Sequence, residues 1–326
     1  MEQNNYCPLI FHGIYVERVS NGKHYISPCC LAKKSGATAD SIDFANNQYL
    51  NSIREENKNN KRPDACQVCW TLEDLGGESN RMVSIDSYKK LSIPLDHTTL
   101  LYNLDYNVLP ICNAKCVICS PQYSSTWAAA KGLSLKSIVA NNYNHLDGLN
   151  FNNIKIIYFN GGEPLLTDEH LNVLKKINNI NSVEISYNTN GSCYPSDEVL
   201  NIWSQAKSVT IAFSVDGIKD RFEETRAPLK WNTVSANIEK MNLLPNIDIQ
   251  CAYTIGRHNV YDLEDTINWF GQLPNFDVFT QFHVHYVNIQ HPLSLKKSSD
   301  DQKQKYKQEL LKFNKFHWYS AVSNIL

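Results

Sequence analysis

The chain has 326 residues, too many for one small domain and suited to one large α/β domain plus a smaller module. Hydrophobic residues make up 42% of it, enough for a core, and 31 Lys and Arg against 33 Asp and Glu leave a formal charge of −2, so no basic field marks a nucleic-acid partner. Mean hydropathy is −0.39 and no run of about 18 apolar residues occurs, which excludes a spanning helix.

The N-terminus, MEQNNYCPLIFHGIYVERVS, lacks the basic start of a secretory leader. A cytoplasmic chain with reduced thiols is therefore expected, and its ten cysteines call for a use. The segment GIYVERVSNGKHYISPCC reads as a β-hairpin turning at Ser20-Asn21-Gly22-Lys23, because Asn-Gly tolerates positive φ at low cost. The polar stretch 54–65 reads as a solvated loop. Next comes Cys66-Gln-Val-Cys69-Trp70. With Cys7 and the Pro28-Cys29 step, the first 70 residues offer four thiols in a metal-knuckle pattern. Zinc and an iron–sulfur cluster both fit this spacing.

LLYNLDYNVLP (100–110) reads as a strand, and directly after it stands Cys112-Asn-Ala-Lys-Cys116-Val-Ile-Cys119. Three thiolates within eight residues can wrap one small metal centre. A structural zinc or a purely electron-carrying cubane wants four ligands. A C-x3-C-x2-C set with no fourth Cys or His nearby leaves one iron of a [4Fe–4S] cluster open to a substrate or cofactor.

Beyond the triplet, 154–159, 182–188, 208–215, 247–255 and 278–287 are short, β-branched and partly apolar on both faces, as buried parallel strands are. Between them 168–178, 197–206, 231–243 and 259–271 carry apolar residues at helical steps, the last with Asn259 placed to cap it. A final helix is expected over 299–324, with Leu310, Leu311, Phe313 and Phe316 as its apolar side. These elements predict an α/β chain built on an open (β/α)6 partial barrel. Its functional residues belong at the strand C-terminal ends. His283 and His285 alternate on the last strand and more often pack than ligate. Cys193 and Cys251 read as small buried apolar residues.

The triplet, followed in order by Tyr158-Phe159-Asn160-Gly161-Gly162-Glu163-Pro164, Asn188-Thr189-Asn190-Gly191 and Phe213-Ser214-Val215-Asp216-Gly217 with Arg226 beyond, resembles the radical SAM superfamily. The motifs span roughly residues 100–290. Ile118 departs from the family's usual aromatic residue before the third cysteine, which weakens the expected packing near an adenine. The resemblance implies a [4Fe–4S] cluster on Cys112, Cys116 and Cys119 whose fourth iron is chelated by S-adenosylmethionine (SAM). It implies reductive cleavage to a 5′-deoxyadenosyl radical, which abstracts hydrogen from a substrate. It places Gly161, Gly162 and Glu163 at the SAM amino group, Arg226 at its carboxylate, and Asn190 and Ser214 at carboxylate or ribose.

The N-terminal thiols, with Glu73, Gly76, Ser79 and Arg81 following Cys69-Trp70, look like a twitch module, the half-size relative of the SPASM domain. In better-known relatives that module follows the barrel. The resemblance implies a second, auxiliary [4Fe–4S] cluster on Cys7, Cys29, Cys66 and Cys69, with Cys30 the alternative to Cys29. The expected division is 1–95 for this module, 96–295 for the barrel and 296–326 for a C-terminal helix. Relatives with such modules often modify peptides or proteins and draw electrons from a donor such as flavodoxin or ferredoxin. The alternatives are a dehydrogenase or epimerase of a small molecule such as a sugar, or a non-catalytic iron–sulfur or zinc protein in a redox or regulatory role.

Overall fold

The computed structural model describes residues 5–18, 24–34, 42–134 and 146–326. Among the described residues eight strands form one sheet in the order β2-β1-β3-β4-β5-β6-β7-β8. They are β1 (Gly13–Arg18), β2 (His24–Ser27), β3 (Asn103–Asn107), β4 (Ile156–Asn160), β5 (Glu184–Thr189), β6 (Ser208–Ser214), β7 (Ile247–Ile255) and β8 (Phe282–Tyr286). From β3 to β8 all neighbours are parallel, with helical segments between them, so the partial barrel expected from the sequence is present.

The hairpin is not a separate sheet. β1 pairs antiparallel with β2 and parallel with β3, Tyr15 opposite Asp105 and Glu17 opposite Asn107. The N-terminal segment thus extends the barrel sheet by two strands, making eight where six were expected. The turn at Ser20–Lys23 lies outside the described residues.

The central strands β4, β5 and β6 alternate strictly. Along β6, Val209, Ile211 and Phe213 are buried against the helices, while Ser208, Thr210, Ala212 and Ser214 are partly exposed on the other face. Each such aliphatic residue contributes about 1.5–3 kcal/mol through burial. The expectation of strands apolar on both faces fails because the inner face is polar and opens on a cleft. That face carries Asp105, Asn107, Tyr158, Asn160, Asn188 and Ser214.

Several local expectations are corrected. Residues 54–58 are not loop but the end of helix α2 (Gln48–Lys58), capped by Asn47, whose side chain accepts from Leu50 N at 3.1 Å. Arg54 within it is only 1% exposed. Its guanidinium donates to the carbonyls of Ile10 (3.2 Å) and Phe44 (2.9 Å) and to Asn51 Oδ1 (2.8 Å). It thereby ties α2 to helix α1 (Pro8–His12), which packs with Ile53 and Tyr88 in a small second core.

Asn259 does not cap the helix Leu263–Phe270. Buried, it accepts from Gly256 N at 2.8 Å and donates to the carbonyls of Asp216 and Thr254, both at 3.1 Å, stapling the ends of β6 and β7 together. Residues 278–281 form a short helix before β8, because Asp277 caps them through Phe279 N at 2.9 Å. The C-terminal helix stops at Leu310 and resumes over Tyr319–Ser323. Leu310 and Phe313 are buried, but Leu311 is exposed, since the break turns it outward. Among the described residues no helix is long and apolar enough to cross a membrane.

Arg54→Met removes the donor that the Ile10 and Phe44 carbonyls accept from. It is expected to lower the unfolding free energy by about 3 kcal/mol, read as a lower urea midpoint with unchanged slope.

Candidate active site

The cleft at the C-terminal ends of the strands begins with the loop that leaves β3. Cys112 and Cys116 are buried and Cys119 half-buried. Helix α5 (Ser125–Ala130) holds the loop from one side. Cys112 N donates to Ser125 Oγ at 3.0 Å, Thr126 Oγ1 donates to the Cys112 carbonyl at 2.7 Å, and Trp127 Nε1 to the Cys116 carbonyl at 2.9 Å. The segment after the helix Lys219–Thr225 holds it from the other. Lys115 N donates to the Ala227 carbonyl at 2.7 Å and Val117 N to that of Thr225 at 2.9 Å.

Gly161 and Gly162 lie against the chain that leads into this loop. Gly161 has φ +119°, and a Cβ there would fall 2.7 Å from the Val108 carbonyl oxygen. A Cβ on Gly162 would fall 2.5 Å and 2.6 Å from the carbonyl oxygens of Ile111 and Leu109. Only glycine permits this approach. Glu163 N then donates to the Ile111 carbonyl at 2.8 Å.

Cys112, Cys116, Cys119, Gly161, Gly162, Asn190, Ser214 and Arg226 all line one cleft of about 420 Å³, in the range of small-molecule sites. Glu163 stands behind its wall. It is buried and accepts from Thr189 Oγ1 and Asn190 N, each at 2.7 Å, and from Leu165 N at 3.2 Å. Burial raises its carboxyl while these bonds favour the anion. Its side chain therefore shapes the turn that carries Asn190.

Arg226 is also engaged. Its Nη2 lies 2.6 Å from Asp216 Oδ2, both side chains nearly inaccessible, and its Nη1 lies 3.7 Å from Cys116 Sγ. Asn190 Nδ2 lies 3.8 Å from Cys112 Sγ. Two thiols of the triplet thus face N–H donors, which favour thiolate over thiol. Burial acts oppositely and pushes Cys112 up to about 11.

Ser120, Tyr123, Asn160, Asn188 and Thr189 also line the cleft. Sequence reasoning missed them, although Asn160 and Asn188 sit inside motifs and at strand ends, a signal that was present. Asp216 was read only as part of a motif.

The four N-terminal thiols line a second cavity. Cys7, Cys29, Cys66 and Cys69 meet there with Pro28, Trp70 and Arg81. Cys30 is not part of that lining. Burial, then the neighbouring thiols, pushes Cys7, Cys29 and Cys66 up to about 12. A metal centre bound there would have to displace protons. The residues after Cys69 knit the wall. Arg81 pairs with Glu73 through Nε (2.9 Å) and Nη2 (2.6 Å), donates from Nη1 to the Tyr6 carbonyl (2.9 Å) and stacks over Trp70 at 5.1 Å. Ser79 caps helix α4 (Asn80–Lys90), accepting from Met82 N at 3.3 Å. Helix α3 (Gln67–Asp74) carries Cys69 and Trp70.

Among the described residues, no group of three or more His, Cys, Asp or Glu converges on a position for one metal ion. Each thiol set is gathered on one lining, as the ligands of a single centre must be. His283 pairs with His317 at 3.2 Å and does not line the cleft; Cys251 is buried in the core, and Cys193 is half-buried beside Ser192.

The radical SAM superfamily model matches residues 106–270, half the chain. The chain belongs to the radical SAM superfamily. Solved structures of radical SAM enzymes are similar at low identity. "Native anSMEcpe with bound AdoMet" matches at 18% identity and TM-score 0.44, over 68% of this chain and 61% of that one. Streptococcus suis SuiB bound to precursor peptide SuiA matches at 13% identity and TM-score 0.42, over 72% and 50%. The chain thus spans about three fifths and half of these proteins. No curated protein matches it.

Two outcomes are expected at this site. Arg226→Ala leaves Asp216 charged and buried, so stability of the apoprotein should fall by about 3–5 kcal/mol, and Asp216→Asn added to it should recover part of the loss; chemical denaturation of the three variants reads this. Gly162→Ala should cost about 1–3 kcal/mol by overpacking and should also displace the triplet loop, seen as reduced iron uptake on anaerobic reconstitution.

Proposed function

We propose that this radical SAM enzyme holds a [4Fe–4S] cluster on Cys112, Cys116 and Cys119, binds SAM in the adjoining cleft, and abstracts hydrogen from a peptide or protein. The observation that carries the reading is the convergence of three thiols, a glycine pair and Asn190, Ser214 and Arg226 on one cleft. Bound there, cluster and SAM supply a 5′-deoxyadenosyl radical.

The chain's own residues position and shield that chemistry. The backbone at Gly161 and Gly162 presents the surface closest to the thiol loop and receives the SAM amino group. Asn190 and Ser214 offer polar contacts to carboxylate or ribose. Arg226, held by Asp216, presents its remaining donors to the thiolate of Cys116 and to the SAM carboxylate. Glu163 acts through the Thr189–Asn190 turn.

The N-terminal segment, 1–95, is read as a twitch-like module whose auxiliary [4Fe–4S] cluster sits on Cys7, Cys29, Cys66 and Cys69. It lends its hairpin to the barrel of 96–295, which the 296–326 segment covers. The peptide assignment rests on this module, since relatives carrying one often act on peptides. A one-electron donor such as flavodoxin or ferredoxin completes the system.

Anaerobic reconstitution with SAM and dithionite tests the reading. The wild type should hold about eight irons, the sum of two cubanes, and release 5′-deoxyadenosine. With Cys112, Cys116 and Cys119 all changed to Ala, cleavage should vanish. With Cys66→Ala and Cys69→Ala, iron should fall to about four while uncoupled cleavage persists. Zinc in the N-terminal site after zinc-free anaerobic purification would make that module a structural knuckle.

A further inference from the structure

Two of the three triplet sulfurs are met by side-chain N–H groups. Arg226 Nη1 lies 3.7 Å from Cys116 Sγ, and Asn190 Nδ2 lies 3.8 Å from Cys112 Sγ. Sulfur is larger than oxygen, so these are contact distances for an N–H···S bond. Asn190, Arg226 and Asp216 are all nearly inaccessible, so water weakens neither contact.

Both N–H groups are aimed by their surroundings. The residues on either side of Cys116 are bonded to the residues on either side of Arg226. Lys115 N donates to the Ala227 carbonyl at 2.7 Å and Val117 N to that of Thr225 at 2.9 Å. Asp216 Oδ2 holds Arg226 Nη2 at 2.6 Å, which leaves Nη1 for the sulfur. Asp216 is fixed in turn by Thr254 N at 2.7 Å. At Cys112, Asn113 and Ser192 close a ring with Asn190. Asn190 Oδ1 accepts from Ser192 N at 2.9 Å, its Nδ2 donates to Asn113 Oδ1 at 3.0 Å, and Asn113 Nδ2 donates to Ser192 Oγ at 2.9 Å. The amide oxygen of Asn190 is thereby committed to its own turn, and the NH2 end faces Cys112.

We propose that Asn190 and Arg226, aimed by Asn113 and Asp216, raise the reduction potential of the triplet cluster through N–H···S bonds. This deepens the function proposed above and rests on its cluster assignment. Reduction moves one electron from the reductant onto the cluster and its thiolates, and no proton is needed. The added negative charge is shared by the sulfurs, where an N–H dipole stabilises it. Asp216 balances the charge of Arg226, so this pair acts through its aimed N–H rather than through net charge. The effect operates before SAM binds, which separates it from any contact these residues make with SAM.

The test is a potential, measured without SAM. Full-length protein is reconstituted anaerobically and titrated with dithionite, and the reduced clusters are followed by electron paramagnetic resonance. The triplet cluster is the signal that changes when SAM is added afterwards, because its open iron takes a ligand. The auxiliary signal is indifferent to SAM and serves as the internal reference. Arg226→Met combined with Asp216→Asn removes the N–H, leaves net charge unchanged and strands no buried charge. At fixed potential it should lower the reduced-to-oxidised ratio of the triplet cluster about tenfold, a downward shift of about 59 mV for one electron. Arg226→Lys keeps the ion pair with Asp216 but has no second arm for Cys116, and its midpoint should fall as well. Asn190→Leu should shift the midpoint in the same direction through Cys112. All three should keep about eight irons and an unmoved auxiliary midpoint. An unchanged triplet midpoint in both Arg226 variants overturns the role of Arg226, and an unchanged one in Asn190→Leu overturns that of Asn190. An equal shift of both clusters overturns the proposal outright. A wild type with no SAM-sensitive signal instead defeats the underlying cluster assignment, so the two failures are told apart.

Discussion

The close approach of Gly161-Gly162 to the segment 107–111 fixes the rest of the site. Val108 N donates to the Asn160 carbonyl at 2.8 Å and Glu163 N to that of Ile111 at 2.8 Å, so the chain after β4 is hydrogen-bonded to the chain after β3 on both sides of the glycines. The thiol loop begins where this seam ends. Its first cysteine therefore stands at a set height above the sheet, and the turn after β5, gripped by Glu163, is set against it. Moving either strand end would move thiols and polar lining together.

Charge is the second constraint. Glu163, Asp216 and Arg226 are all nearly inaccessible, and buried charges survive only when paired or fully hydrogen-bonded. Each is satisfied from a different strand end: Glu163 by β5 and its turn, Arg226 by the end of β6, and Asp216 also by Thr254 N of β7 at 2.7 Å. The polar lining of the cleft is thus held rigid before any ligand arrives. Such preorganisation spares the reorganisation that water would require at the moment of reaction.

The barrel was legible in the sequence because its signals are local and repeated. Short β-branched strands, helical spacing between them and motifs at strand ends all agree. The thiol sets were legible because cysteine spacing is chemistry written linearly, and the cavities that gather Cys7, Cys29, Cys66 and Cys69, and the triplet, match it. What sequence could not carry was pairing between distant segments. β1 joins β3 through hydrogen bonds that no periodicity announces. Arg54, in a run of Glu, Asn and Lys, looks solvated, yet the carbonyls of Ile10 and of the adjacent Phe44 and Ala45 close around it. Asn259 has the right type and position for a cap but is drawn inward by three backbone groups of β6 and β7. In each case a tertiary partner overrode a local preference.

The parallel pairing of β1 with β3 has a consequence for how the molecule is made. Antiparallel β2 can fold onto β1 at once, but a two-stranded ribbon is marginal alone. Its stabilising neighbour is encoded only after the whole thiol-bearing segment has been synthesised. Cys7 and Cys29 therefore leave the ribosome long before the sheet that orients them exists, and before Cys66 and Cys69 have arrived. Long-range closure of this kind is slow and exposes unpaired strand edges. The inner edge of β1 therefore waits for β3, while the four-thiol cavity, lined from Cys7 to Arg81, draws all its walls from segments made before that strand.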